Sequence, residues 1–154
     1  MSDAWNANLG ALAELPVAPR PCSAAAALSV VGERWALLAV REIAYGVTRF
    51  DRIVGFTGAP RDVLTDRLKK LVAAGVVEKR QYSERPPRFE YHLTDAGRDL
   101  FPVLLTLQQW GDKWVVDRPA LAYRHDCGEA LDVVSTCRAC GRAAAPESLT
   151  PIPG

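Results

Sequence analysis

The residues best equipped for chemistry fall in three places along the sequence. Near its end, His125-Asp126-Cys127-Gly128 is followed nine residues on by Cys137-Arg138-Ala139-Cys140-Gly141. Cys-x-x-Cys-Gly is the shape of a zinc knuckle, in which two thiolates hold one metal and the glycine admits the tight turn. A complete ribbon carries a second such motif, but Arg124 stands where its first cysteine belongs. The expected zinc set is therefore His125, Cys127, Cys137 and Cys140, a structural site; a decayed knuckle or a disulfide fits the same residues. The second place is Cys22. Near a helix N-terminus its thiolate is stabilised, as a redox sensor needs, whereas a buried thiol there is a packing residue. The third is a band of cations in the middle of the chain.

That band is hidden by the average. The 154 residues hold 19 Lys+Arg and 18 Asp+Glu, a formal charge of +1. From Arg49 to Arg98, however, eleven basic residues stand against seven acidic ones, so this segment is +4 and the remainder −3. A local positive field suits a polyanion better than a uniformly basic chain does, although a solvated helix face gives the same count. With 49% hydrophobic residues the chain is globular, which excludes disorder and fibrous repeats. No apolar run reaches the roughly 20 residues that span a bilayer, and Asp3 and Asn6 precede any hydrophobic stretch, so a cytoplasmic, nucleoid-associated protein with no membrane partner is expected. Only two histidines occur, and no nucleophile–base or carboxylate pair is suggested by spacing, so catalysis is not expected.

Periodicity supplies the elements that must position these groups. A weakly amphipathic helix is expected over Trp5–Leu15, stopped by Pro16, then a connector with Pro19 and Pro21. Cys22–Val31 and Arg34–Tyr45 read as helices, the second a core helix with Gly46 just beyond it. A small helix, Phe50–Phe56, turns at Thr57-Gly58 into Pro60–Ala74, where Leu64, Leu68, Leu71 and Val72 form the buried stripe. Two strands, Val76–Tyr82 and Phe89–Leu93, flank a loop with Arg85-Pro86-Pro87-Arg88, and Thr94 caps one long helix over Asp95–Val116 that Pro102 kinks. Residues 1–21 thus form an N-terminal arm, 22–118 the main domain, and 119–154 a cysteine-containing extension.

Small helix, turn, polar-faced helix and basic hairpin together make a winged helix-turn-helix. The expected fold is mainly α with one β-hairpin, flanked by dimerisation helices and a short zinc-ribbon-like tail. A helix fits the roughly 12 Å major groove of duplex DNA, and a hairpin tip stiffened by prolines lies on phosphate or enters the minor groove. Arg61, Thr65 and Lys69 are the first choices for groove contacts, with Asp62 and Asp66 able to accept from cytosine or to serve only as dipole and surface partners. Arg49, Arg67, Arg85 and Arg88 are expected on phosphates, Arg67 alternatively in an internal salt bridge. Trp110 and Trp114, one turn apart, suit a dimer seam with Leu107 and with Leu9 and Leu12 of the arm.

Between Cys22 and Trp114 the sequence also resembles the HxlR family of bacterial transcription regulators, relatives of the MarR type. The resemblance rests on Gly32-Glu33-Arg34-Trp35-Ala36-Leu37-Leu38 with Arg41-Glu42-Ile43, Leu64-Thr65-Asp66-Arg67-Leu68, and Pro86-Pro87-Arg88-Phe89-Glu90-Tyr91-His92-Leu93-Thr94. It implies an obligate homodimer that binds a palindromic or near-palindromic operator, and a small aromatic effector at the Trp110–Trp114 seam, since regulators of this general type often bind aromatic compounds. Two departures stand out: Gly58-Ala59-Pro60-Arg61 replaces the Ser-Pro that often opens the recognition helix, and Pro21-Cys22-Ser23 replaces a Cys-Pro. The rival readings are a redox-sensing regulator working through Cys22 and a zinc-stabilised winged-helix module that binds protein.

Overall fold

The computed structural model describes residues 10–13, 15–19 and 22–151. The chain divides into two units, Pro21–Pro119 and a second made of its two ends. The first unit holds the elements α1 (Ser23–Val31), α2 (Arg34–Ala44), α3 (Phe50–Thr57), α4 (Arg61–Ala73), β1 (Val77–Glu84), β2 (Pro87–Leu93), α5 (Asp95–Arg98) and α6 (Phe101–Trp114). No single described helix is long and apolar enough to cross a membrane.

α2 is the central post, packing against α1, α3, α4, α6 and β2. Its small residues Ala36 and Ala39 let neighbouring helices approach, and Val40 and Ile43 complete its buried face. Against it lie Ile53 of α3 and Leu64, Leu68 and Leu71 of α4, all but fully buried. The stripe expected on α4 is therefore the one that folds inward, because i, i+4 and i+7 positions share one helical face. Glu42 is the one buried charged residue among those described, and Arg41 pairs with it at 2.6 Å. Between α3 and α4 the chain reverses at Gly58, whose φ of 69° is the left-handed conformation that a side chain disfavours.

Several boundaries move relative to the sequence reading. Pro60 is the N-cap of α4 and not its first helical residue, with extended ψ of 138° and no side-chain cap bond. Thr57 does not cap α4: its hydroxyl donates to the Ile53 carbonyl at 2.7 Å, closing α3 instead. The single long helix expected over Asp95–Val116 is two. α5 ends at Arg98, and α6 restarts at Phe101 with Pro102 in its first turn, the only part of a helix where a missing N–H costs nothing. The strands run further than expected, to Glu84 and from Pro87, so the hairpin turns on only Arg85 and Pro86. Tyr91 is half-buried in β2, and burial pushes its phenol above the usual range.

In the second unit, Gly10–Leu12 is one 3-10 turn, short of the helix expected over Trp5–Leu15; Trp5 to Leu9 lie outside the described residues. The extension contains two small hairpin loops. One is closed by an Arg124–Ala130 bridge and the other by a Thr136–Ala143 bridge, with Gly128 and Gly141 at positive φ.

Candidate nucleic-acid interface

α4 presents its polar side outward because its apolar side is consumed by the core. Arg61 lies over the Phe50 ring, 4.9 Å from guanidinium carbon to centroid, and donates to Asp51 Oδ1 at 2.7 Å. The pair is exposed, so Asp51 orients the arginine without burying it. Thr65 donates its hydroxyl to the Arg61 carbonyl at 2.7 Å, which leaves its lone pairs open to a donor. Asp62 and Lys69 are exposed and make no ion pair among the described residues.

Two residues assigned to DNA are otherwise engaged. Asp66 accepts from Arg67 at 3.0 Å and faces Lys70 at 3.3 Å, so its carboxylate serves neighbouring cations. Arg67 is turned inward, its side chain 17% exposed and paired with Glu33 Oε1 at 3.4 Å as well as with Asp66. It ties α4 to the start of α2, an internal bridge in place of a phosphate contact.

The wing is an antiparallel pair whose register runs from Val77 opposite Leu93 to Gln81 opposite Phe89, then skips Tyr82 in a bulge. Its tip is held by the Ser83 hydroxyl, which donates to the Pro86 carbonyl at 3.1 Å. Arg85 and Arg88 are both exposed there and make no ion pair among the described residues. Arg49 has a bracing role: its Nε meets Glu90 at 3.4 Å, its guanidinium covers Tyr82 at 4.6 Å, and Tyr91 N donates to the Thr48 carbonyl next door. It fastens the wing to α3 while half its side chain stays in solvent. Sequence reasoning counted Arg52 and Lys79 as charge but did not single them out. Both are exposed, Arg52 over Phe56 at 5.4 Å and Lys79 over Phe89 at 3.9 Å. The one-turn spacing from Arg49 to Arg52 was the available signal for the first.

α6 shows the opposite face. It has no buried residue, and Val103, Leu107, Trp110 and Trp114 are each at least half exposed. Leu104 packs partly on the core, as does Leu100 just before the helix. Of the N-terminal candidates for the same seam, Leu9 lies outside the described residues and Leu12 is half-buried.

The cysteines are all free and exposed. Cys22 is the N-cap of α1, with extended backbone and no side-chain cap bond. In the extension, His125 N donates to Glu129 O and Cys137 N to Arg142 O, so His125, and not Arg124, occupies the place equivalent to Cys137 in a loop one residue shorter. Arg124 instead clamps its loop by donating to the Gly128 carbonyl at 2.7 Å. Among the described residues no three His, Cys, Asp or Glu side chains gather into one group as a metal requires. His125 Nδ1 accepts from the Cys127 backbone N–H at 3.3 Å, which commits the ring to its own turn. At the second loop, the Arg142 backbone N–H, the Arg142 side chain and the Cys137 thiol hold the Cys140 thiol below its ordinary range.

Comparison with known proteins agrees with this architecture. Residues 30–119 match the family model for HxlR-like helix-turn-helix proteins. An uncharacterised HTH-type transcriptional regulator of Mycobacterium tuberculosis is 44% identical over 131 residues, 83% of each chain. Among solved structures, one described as a transcription factor superposes with a TM-score of 0.71 at 30% identity, covering 84% of this chain and 94% of that one. The reduced form of the redox regulator HypR superposes at 0.54 with 31% identity, covering 59% of this chain and 91% of its own. A matched segment that takes in the whole helix-turn-helix, the wing and α6 shows that the chain belongs to the HxlR-like helix-turn-helix family.

Proposed function

We propose that the chain is a cytoplasmic, nucleoid-associated, sequence-specific DNA-binding transcription regulator, a homodimer that reads a palindromic operator and performs no catalysis. One observation carries this reading: the outer face of α4 and the tip of the wing, the two elements a winged helix inserts into DNA, both present cations that pair with no carboxylate among the described residues. Lys69 on α4 and Arg85 and Arg88 on the wing fit that description, and Arg61 stands beside them on its Asp51 rest. In this arrangement Arg61, Thr65 and Lys69 read base edges, with Asp62 at the helix N-terminus accepting from cytosine. Arg85, Arg88, Arg49 and Arg52 hold phosphates. Leu107, Trp110 and Trp114 supply the seam of the homodimer, where burial of each large side chain is worth about 1.5–3 kcal/mol.

The test is a salt titration. Fluorescence anisotropy against the intergenic duplex upstream of the gene, and against a random duplex, is expected to show affinity falling steeply from about 50 to 200 mM salt. Arg85→Ala and Arg88→Ala are each expected to reduce the log–log slope by about 1 on both duplexes. Absence of binding to either duplex at about 50 mM salt, where phosphate contacts are strongest, overturns the reading and favours a winged-helix module that binds protein.

A second reading adds a signal. Cys22 is exposed at the start of α1, and the chain is similar to the redox regulator HypR. If Cys22 senses oxidant, peroxide changes duplex affinity in the parent protein and not in Cys22→Ser. No metal is required by either reading.

A further inference from the structure

The first residue of α4 is held by the first two residues of α3. Arg61 donates from Nη2 to Asp51 Oδ1 at 2.7 Å, and its guanidinium carbon lies 4.9 Å from the centre of the Phe50 ring. Phe50 packs against the core, so the ring is a fixed surface. Asp51 is 79% exposed, and Arg61 is its one ion-pair partner among the described residues. The pair differs in charge from its neighbours. Lys69, Arg85 and Arg88 make no ion pair among the described residues, whereas Arg61 and Asp51 together carry no net charge. A phosphate contact draws its strength from an unneutralised cation through counterion release, and a carboxylate at 2.7 Å opposes it. A base edge asks instead for donors at fixed positions. A guanidinium has two edges that each carry two parallel N–H groups, Nε with Nη2 and Nη1 with Nη2, and Nη2 has one hydrogen on each. The single bond to Asp51 therefore uses one edge and leaves the other complete. In the major groove, guanine is the base that offers two adjacent acceptors, O6 and N7, to such an edge.

We infer that Asp51 is a positioning residue for sequence readout: with Phe50 it sets Arg61 to bind the O6/N7 edge of one guanine in each operator half-site, and it withholds Arg61 from the phosphates. This rests on the DNA-binding reading proposed above. Asp51 acts through Arg61 in two ways that can be measured separately. It fixes a long side chain before DNA arrives, so less rotamer freedom is lost on meeting the right base. It also cancels a positive charge, so wrong sequences gain less from their phosphates. Specificity is a difference of affinities, and the first effect strengthens the correct complex while the second weakens the incorrect ones. Thr65, one turn along α4, leaves this arrangement undisturbed because its hydroxyl donates to the Arg61 carbonyl and not to Asp51.

The test begins with enrichment, on the full-length protein, of duplexes that carry a randomised central segment. Fluorescence anisotropy then follows the enriched duplex, its single-base-pair variants and a random duplex. The parent protein is expected to prefer G·C at one position of each half-site by about 5–150-fold, the worth of one bidentate pair. Arg61→Lys, which keeps the charge without the fork, is expected to lose the preference at that position alone. Asp51→Ala is expected to lower the same preference at least about threefold, to tighten binding to the random duplex, and to steepen its log–log salt slope by up to about 0.9. Asp51→Asn keeps an acceptor without the charge, so it is expected to show the steeper slope with a smaller loss of preference. A carboxylate that merely complements the first turn of α3 would change the melting temperature and neither of these readouts. A G·C preference that survives Asp51→Ala, or a random-duplex slope that stays the same, overturns the role of Asp51. Enrichment of A·T, or of no base pair, at the position that Arg61→Lys affects overturns the guanine assignment and leaves DNA binding standing. Absence of binding to any duplex at about 50 mM salt overturns the inference together with the reading it rests on.

Discussion

α4 and α6 are nearly equal in length, 13 and 14 residues, and both are amphipathic, yet they finish their folding differently. α4 buries Leu64, Leu68 and Leu71 almost completely and turns polar side chains to solvent. α6 buries none of its residues and turns Val103, Leu107, Trp110 and Trp114 outward. A single chain satisfies the first helix and leaves the second exposed. Apolar surface left exposed is held at a thermodynamic loss unless something covers it, and the function proposed above accordingly gives α4 a polar ligand and α6 a hydrophobic one.

This contrast can be broken at several strengths. The largest effect is expected from Leu68→Ala, which opens a cavity at the centre of the core and costs about 2–5 kcal/mol, measured by chemical denaturation. The matching change on the other helix, Trp110→Glu, is expected to leave the monomer folded and weaken self-association on the order of 100-fold, read by sedimentation equilibrium. Equal destabilisation of the monomer by both variants erases the distinction between the helices. On the outer face of α4, Arg61→Ala is expected to cost about 1–3 kcal/mol of operator affinity and to relax preference at one base pair, with melting unchanged. A loss that is uniform over sequences reassigns Arg61 to phosphate. The smallest expected effect lies outside both helices. Because Cys140 is held below the ordinary thiol range, its thiolate fraction at pH 7–8 exceeds that of a normal thiol, and it is expected to alkylate severalfold faster than Cys127 by mass spectrometry.

Much of the fold was legible because it follows from periodicity. The stripe of α4, the core position of α2 and the alternation of β2 are local patterns imposed by one buried face. The boundaries were less legible, for identifiable reasons. Pro102 reads as a kink within a long helix or as the start of a new one, and only the packing of Gly97 and Leu100 against the neighbouring elements decides between them. Pro60 likewise fits a cap or a first turn. At the candidate site, Arg61, Lys69, Arg85 and Arg88 could be named because they are exposed by elimination. The commitments of Asp66 and Arg67 depend on Glu33 and Lys70, and no spacing rule connects Arg67 to Glu33, 34 residues earlier. The two loops of the extension show the limit most clearly. Similar motifs gave similar hairpins, but whether three ligands come to one point is a tertiary matter that motif spacing alone does not decide.

The joint at the base of the wing has a mechanical consequence. Thr94 donates its hydroxyl to the Gly75 carbonyl at 2.5 Å, its own N–H to the Val76 carbonyl at 3.2 Å, and accepts from Gly97 N at 3.2 Å. Gly97 lies so close that any Cβ would collide with the Val76 carbonyl oxygen. Helix α4 ends here, β1 leaves from here and β2 returns here, so this part of the first unit resembles callipers with a welded pivot. The opening of the jaws is then set by the length of the arm, eight residues of β1 or roughly 26 Å at strand rise. Lengthening both strands by a residue pair would carry the arginine tip roughly 7 Å further from the pivot while leaving the core untouched, so that in the DNA-binding reading proposed above the hairpin is a length standard for the operator.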